Sequence, residues 1–257
     1  MDFDSIENVI PHIEMAHDYG YTDLNKDQGH FPRVYKTHSW YPHCPKGAGK
    51  YVFVVRDPER AGISHYNFFN GWLFDKDSVS VNDFLESVFL GRGAAKSFAE
   101  RSSNWDIVAS WYPHRNDPNV LWLHYEDMVK DLPACIELVS KFLGIGVGDA
   151  ELLDLVVKQS SFEFMRTHWE KFDDRPLKVL FNSSWGRPPT AGIGGENAKV
   201  SKGNRAPVKF SDAVQEKFNL KWDATVKSVS GYGNYKEMRE GVNKEFGRKF
   251  GMKKSEV

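Results

Sequence analysis

The apolar positions of this chain fall into short continuous runs and spaced stripes that alternate along most of its length. Tyr51 to Val55 (YVFVV) and Val120 to His124 (VLWLH) are apolar at nearly every position. A strand covered on both faces in a parallel sheet reads this way, whereas a half-solvated strand alternates. Residues 33–36 read as a further short strand. Between the runs, apolar residues recur at helical spacing. Ile6, Val9, Ile10, Ile13 and Met15 predict a helix over 5–16. Another is expected over 58–70, with Asp57 as a cap and Pro58 in its first turn. Helices over 81–90, 104–112, 132–143 and 150–158 follow, and Gly144 suits a C-cap. Residues 211–226 and 235–246 predict C-terminal helices. Residues 171–207 carry several Gly and Pro without a clear period and read as a long loop or lid. Strands alternating with helices indicate an α/β fold, a parallel sheet flanked by helices. A single domain over 1–257 is expected, closing in a helix or tail over 236–257.

Composition narrows the class. With 40% hydrophobic and 27% charged residues the chain is an ordinary globular one. The net charge of −1 gives no basis for nucleic acid as the main partner. The basic lean after Lys236 reads as a solvated tail or helix face. Cys44 and Cys135 are too few for a disulfide framework or a four-cysteine zinc site, which favours a reduced, cytoplasmic setting. The acidic N-terminus lacks a signal pattern, and no apolar run approaches the length of a membrane span. A soluble protein is expected, with no membrane partner. No metal is assigned, since the histidines form no HExxH pattern. Gly47-Ala48-Gly49-Lys50 resembles half a phosphate-binding loop. However, Cys44 takes the first glycine position, Tyr51 follows the lysine, and a strand rather than a helix comes next.

The candidate chemistry sits between residues 34 and 68. Arg56 directly follows the apolar run at Tyr51–Val55, so its guanidinium projects from the carboxyl end of a strand, where open α/β sheets bind ligands. The free N–H groups and positive end of the next helix point the same way, and Ser64 adds a hydroxyl two turns on. Together these suit a phosphate, for which arginine offers a bidentate fork. On local physics alone, a structural Arg-Asp-Pro turn accounts for the same residues. Lys36 and His38 are two apart and share a side if the chain stays extended. A cation and a base there suit activation of a hydroxyl, although a lone histidine is more often a surface or satisfied polar group.

Four segments taken in order carry a family resemblance. They are Lys36-Thr37-His38, VFVVRDPERAGISHYNF from Val52, Leu123-His124-Tyr125-Glu126-Asp127-Met128, and Ser160-Ser161-Phe162-Glu163-Phe164-Met165. The chain resembles the cytosolic-type sulfotransferases over residues 6–226. These enzymes use 3′-phosphoadenosine 5′-phosphosulfate (PAPS) and release adenosine 3′,5′-bisphosphate (PAP). The resemblance implies a three-layer α/β fold related to the P-loop nucleotide hydrolases. It implies sulfuryl transfer from PAPS to a hydroxyl or amine of a small-molecule acceptor. It makes His38 the general base and Lys36 a lysine lining the acceptor site. Arg56 and Ser64 match the pair on the 3′-phosphate, Tyr125 and Phe162 residues near the adenine, and Ser161 a further nucleotide contact. Phe68 matches an aromatic wall of the acceptor pocket, which Trp40 and Trp72 extend by proximity in sequence.

Two departures are visible. The family's Arg-Lys-Gly element reads Ser201-Lys202-Gly203 here, keeping Lys202 and Gly203 as nucleotide contacts while Arg205 offers a charge from another position. The family's opening strand, Pro-Lys-Ser-Gly-type loop and helix, which hold the 5′-phosphosulfate, have no counterpart before Val34. Met1 then reads as an internal methionine of a longer protein, with a nucleotide-binding relative of little activity as the alternative. The family's dimer segment is only partly kept over 209–218, so a homodimer is left open.

Overall fold

The computed structural model describes residues 3–97, 100–195, 198–200 and 209–251. Two strands, β1 (Tyr51–Val55) and β2 (Val120–His124), pair in parallel from Tyr51 opposite Val120 to Val55 opposite His124. The helices in chain order are α1 (Pro58–Phe69), α2 (Val81–Phe84), α3 (Asn104–Trp111), α4 (Tyr125–Lys130), α5 (Leu132–Leu143) and α6 (Ala150–Gln159). They continue as α7 (Phe162–Thr167), α8 (Trp169–Phe172), α9 (Arg175–Ser184), α10 (Asp212–Ala224), α11 (Val226–Ser230) and α12 (Tyr235–Glu245). No helix of the described residues is long and apolar enough to cross a membrane.

The chain divides into two compact units that interleave in sequence. One comprises Met1–His38, Ser64–Phe84 and Phe162–Lys209; the other Ser39–Ile63, Leu85–Ser161 and Phe210–Val257.

The sheet belongs to the second unit. All five residues of β2 are buried, and Trp122 is fully enclosed. Burying such a side chain contributes roughly 1.5–3 kcal/mol. Phe53 of β1 lies between Trp111, stacked at 5.2 Å, and Trp122 at 4.8 Å. Val52 and Val54 point the other way and are 42% and 45% exposed, so β1 is covered on one face only, against the two covered faces expected of it. Among the described residues the sheet has only these two strands, and β2 is the one enclosed. Below them Phe89, Trp105 and Phe218 pack edge and face at 5.0–5.9 Å. The helix starts follow local chemistry: Ser103, Asp131, Asp149, Ser211 and Asn234 each accept a backbone N–H of the following turn. Gly144 closes α5 at φ 77°, a left-handed conformation that glycine adopts without strain. α12 is anchored by Asp127 of α4. That carboxylate is 2% exposed and accepts from Arg239 Nε at 2.9 Å and Asn243 Nδ2 at 2.7 Å.

The first unit departs from the sequence expectations in three places. Residues 5–16 form two short 3-10 turns, Ile6–Asn8 and Ile13–Met15, in place of a helix. Pro11 has no N–H to donate and breaks the ladder. The segment instead buries Ser5, Glu7 and His12, while its isoleucines stay partly solvated. Residues 33–36 supply a single parallel bridge rather than a strand: Lys36 pairs with His12, and Lys36 N and O bond Pro11 O and Ile13 N at 2.9 Å each. Residues 171–207 are not all loop, because α9 occupies Arg175–Ser184. Its buried face is Leu177, Lys178 and Asn182, so two polar residues hide the period that hydrophobicity would have shown. Lys178 is fully buried and pairs with Asp173 at 3.1 Å. The Asn182 amide donates to Pro189 O and Ala191 O and turns the following chain back on the helix.

Candidate active site

The strand-to-helix junction of the second unit is built around Arg56. Its guanidinium lies over the Tyr125 ring, 4.5 Å from the centroid. Stacking on an aromatic face holds the planar fork in one orientation. The Arg56 Nε is buried and has no hydrogen-bond partner among the described residues. A buried donor left without a partner costs about 1–3 kcal/mol, which an anionic ligand would recover. The helix N–H groups are another matter. Asp57 Oδ1 accepts from Glu59 N at 2.9 Å and Arg60 N at 3.2 Å, Pro58 has no N–H, and Asp57 N donates to Glu126 Oε1 at 3.2 Å. The first-turn donors expected to face an anion are thus already engaged, which leaves the Arg56 guanidinium as the remaining candidate group at this junction.

Behind the junction runs a buried hydrogen-bonded chain. The Trp122 indole N–H donates to His124 Nε2 at 3.2 Å. That nitrogen must then accept, so Nδ1 carries the proton and faces the Tyr235 hydroxyl oxygen at 3.3 Å. The Tyr235 hydroxyl donates to Glu126 Oε2, and the other oxygen of Glu126 holds Asp57 N. Burial drives His124 far down, to about 3, against the upward pull of Asp127 and with Arg239 and Arg248 adding to the fall. The ring is therefore neutral, as its two contacts require.

In the first unit, Lys36-Thr37-His38 leaves the bridge to His12. The His38 side chain is exposed, and its ring meets the His12 ring edge-on at 4.6 Å. Glu14 Oε1 accepts from Thr37 Oγ1 at 2.5 Å and from His38 N at 2.9 Å. Lys36 meets different neighbours, namely Glu7, Asp174 and Lys199. Burial, then the nearby Lys199 charge, lowers its pKa below the ordinary lysine range. Lys199 Nζ pairs with Asp174 Oδ1 at 2.9 Å. Burial would raise Asp174, but Lys199, a bond from Glu7 and Lys36 outweigh it and hold the carboxyl well below its ordinary range. Burial and the adjoining Asp174 raise Glu7, so Glu7 takes a proton first.

With these geometries in place, comparison with known proteins is decisive. The sequence pattern of the sulfotransferase domain matches residues 2–178, more than half of the chain. The chain belongs to the sulfotransferase-domain family. It is 32% identical over 139 residues to an amine sulfotransferase of Oryctolagus cuniculus, a match covering 52% of this chain and 44% of the relative. It is 31% identical over 160 residues to a 3-alpha-hydroxysteroid sulfotransferase of Cavia porcellus, covering 61% and 52%. The chain thus spans about half the length of the curated relatives it matches. The fold agrees. A mouse sulfotransferase complexed with PAP superimposes with a TM-score of 0.51 at 23% identity, over 84% of this chain and 73% of that one. Retinol dehydratase in a complex with retinol and PAP gives 0.57 at 19%, over 86% and 65%.

The remaining positions expected of a sulfotransferase fall as follows. Ser64 is exposed on α1, and Ser161 Oγ donates to Lys158 O at 2.7 Å. Tyr125 and Phe162 are 40% and 48% exposed. Phe68 packs on Trp72 at 5.4 Å with Lys178 Nζ 5.0 Å from its ring. Trp72 is only 2% exposed and forms core rather than an open wall. Trp40 is half-buried against His43 at 5.1 Å. Lys202 and Gly203 lie outside the described residues. No group of three or more metal-ligating side chains occurs among the described residues. Sequence reasoning passed over Glu14, His12, the Glu7–Asp174–Lys199 cluster and the Trp122–His124–Tyr235–Glu126 chain. His124 and Glu126 stand in the Leu123–Met128 segment that carries the family resemblance, but nothing in the sequence marks their link to Tyr235, the Glu7–Asp174–Lys199 cluster or the Glu14–His12 pair.

Proposed function

We propose that this chain is the core of a PAPS-dependent sulfotransferase acting on a hydroxyl or amine of a small molecule. The observation that carries the reading is Arg56: a guanidinium fixed on Tyr125, with a buried unpartnered Nε, at the carboxyl end of β1. Such a fork suits the 3′-phosphate of PAPS; family position assigns Ser64 to the same phosphate, Ser161 to a further nucleotide contact, and Tyr125 and Phe162 to the adenine. Lys202 and Gly203 are assigned to the same nucleotide by family position. Phe68 is assigned to the acceptor pocket. Trp72 supports it from the core, and Trp40 is the weaker member by its packing on His43.

His38 is the base. Its exposed ring takes the acceptor proton as the acceptor oxygen or nitrogen bonds to sulfur. The bond from sulfur to the bridging phosphate oxygen breaks, and PAP departs. Lys36 stabilises negative charge on the reacting groups, and its burial beside Lys199 makes it a readier proton donor than a solvated lysine. As in phosphoryl transfer, alignment and charge stabilisation supply most of the acceleration.

The test pairs binding with turnover. Arg56→Ala is expected to weaken PAP binding in calorimetry by about ten- to a hundred-fold, the worth of one charge-assisted contact. His38→Ala is expected to abolish transfer from radiolabelled PAPS to a panel of phenols, alcohols and amines while sparing PAP affinity. Unchanged affinity in the first variant removes Arg56 from the nucleotide site. Retained turnover in the second removes His38 as the base. PAP binding with no transfer by the unaltered chain leaves a nucleotide-binding relative in place of an enzyme.

A further inference from the structure

We propose that Glu14 is a positioning residue for His38; the inference rests on the reading of His38 as the base. The His38 side chain is exposed, so packing alone does not fix it. Its backbone is fixed by Glu14, whose Oε1 accepts the His38 N–H at 2.9 Å and the Thr37 hydroxyl at 2.5 Å. Two donors on one carboxylate oxygen define the direction in which the chain leaves the His12–Lys36 bridge. The second oxygen of Glu14 lies 3.1 Å from His12 Nε2, close enough for an ion pair though not aligned as a hydrogen bond. His12 is 5% exposed and sets its ring edge-on against His38 at 4.6 Å. Glu14 thus holds the base from both sides, through its own amide and through the ring packed on it. The bonds cross more than twenty residues of sequence.

Displacement of a base by about 1 Å costs on the order of a hundred-fold in rate. Glu14→Ala is therefore expected to lower kcat about a hundred-fold, with acceptor KM and PAP affinity unchanged. Glu14→Gln keeps an acceptor oxygen at the same reach and is expected to restore kcat to within about ten-fold of the unaltered chain. Where Glu14→Ala does not fold, Glu14→Asp gives the same comparison, since it keeps the charge but withdraws the oxygen by one methylene. A merely structural role would lower PAP affinity and the melting midpoint together with kcat, and Glu14→Gln would not restore it. Unaltered kcat in Glu14→Ala or Glu14→Asp, or equal losses in Glu14→Ala and Glu14→Gln, overturns the positioning role while His38→Ala still tests the base. Turnover retained in His38→Ala, or none in the unaltered chain, overturns both.

Discussion

A proton added to His124 should break the buried chain behind Arg56, and its cost follows from the structure. His124 is 1% exposed. Its Nε2 accepts the Trp122 N–H, so protonation sets one buried N–H against another at 3.2 Å. The folded pKa is accordingly about 3, against 6.5 for a free imidazole. Between those values the unfolded chain binds the proton and the folded chain refuses it, so unfolding becomes easier as the pH falls. The stabilisation is complete above the unfolded value, diminishes through the window, and reaches its limit near the folded value. From about pH 7.5 to about pH 5, this one group removes about 2 kcal/mol of stability. The assay is urea unfolding followed by tryptophan fluorescence across that range, for the unaltered chain and His124→Phe. The variant leaves Trp122 N–H and the Tyr235 hydroxyl short of a partner, which lowers its stability at every pH by roughly 1–3 kcal/mol. Its loss on acidification should nevertheless be smaller by about 2 kcal/mol, because the titrating group is gone. Parallel pH curves for the two proteins would refute the reasoning.

Two further outcomes test the first unit. Lys178→Met leaves the fully buried Asp173 carboxylate without its cation and is expected to cost about 3–5 kcal/mol in urea unfolding; a loss under about 1 kcal/mol would show that the pair is solvated. Gly192 sits at φ +65°, and a Cβ there would lie 2.7 Å from Trp72 Cα and 2.8 Å from Gly71 O, backbone atoms that cannot swing away. Gly192→Ala should therefore destabilise more than Gly195→Ala, which has a similar φ of +58° but open space and bears only the left-handed cost of about 1–2 kcal/mol; equal losses would remove the steric argument.

Much of the fold was legible because the deciding forces are local. The runs at Tyr51–Val55 and Val120–His124 are strands within those bounds, and Asp57, Pro58 and Gly144 begin and end helices where their backbone chemistry requires. Sequence reading failed where burial and polarity part company. Residues 5–16 carry a helical apolar period yet bury Ser5, Glu7 and His12 instead of their isoleucines, while α9 turns Lys178 and Asn182 inward and hides its own period, so hydrophobic spacing misleads in the first segment and falls silent in the second.

The sequence by itself determined the α/β class, the helix and strand limits set by caps and apolar runs, and the family to which the chain belongs. It also marked Arg56 and His38, since both stand beside short motifs. Only the tertiary structure decided what those residues meet. Tyr125 comes to Arg56 from sixty-nine residues away, Glu14 reaches back to His38 over twenty-four, and Tyr235 closes on Glu126 over a hundred and nine. These partnerships depend on directed bonds between polar groups in low dielectric, whose strength comes from distance and burial. Distance and burial are properties of the packed chain, and no periodicity along the sequence encodes them.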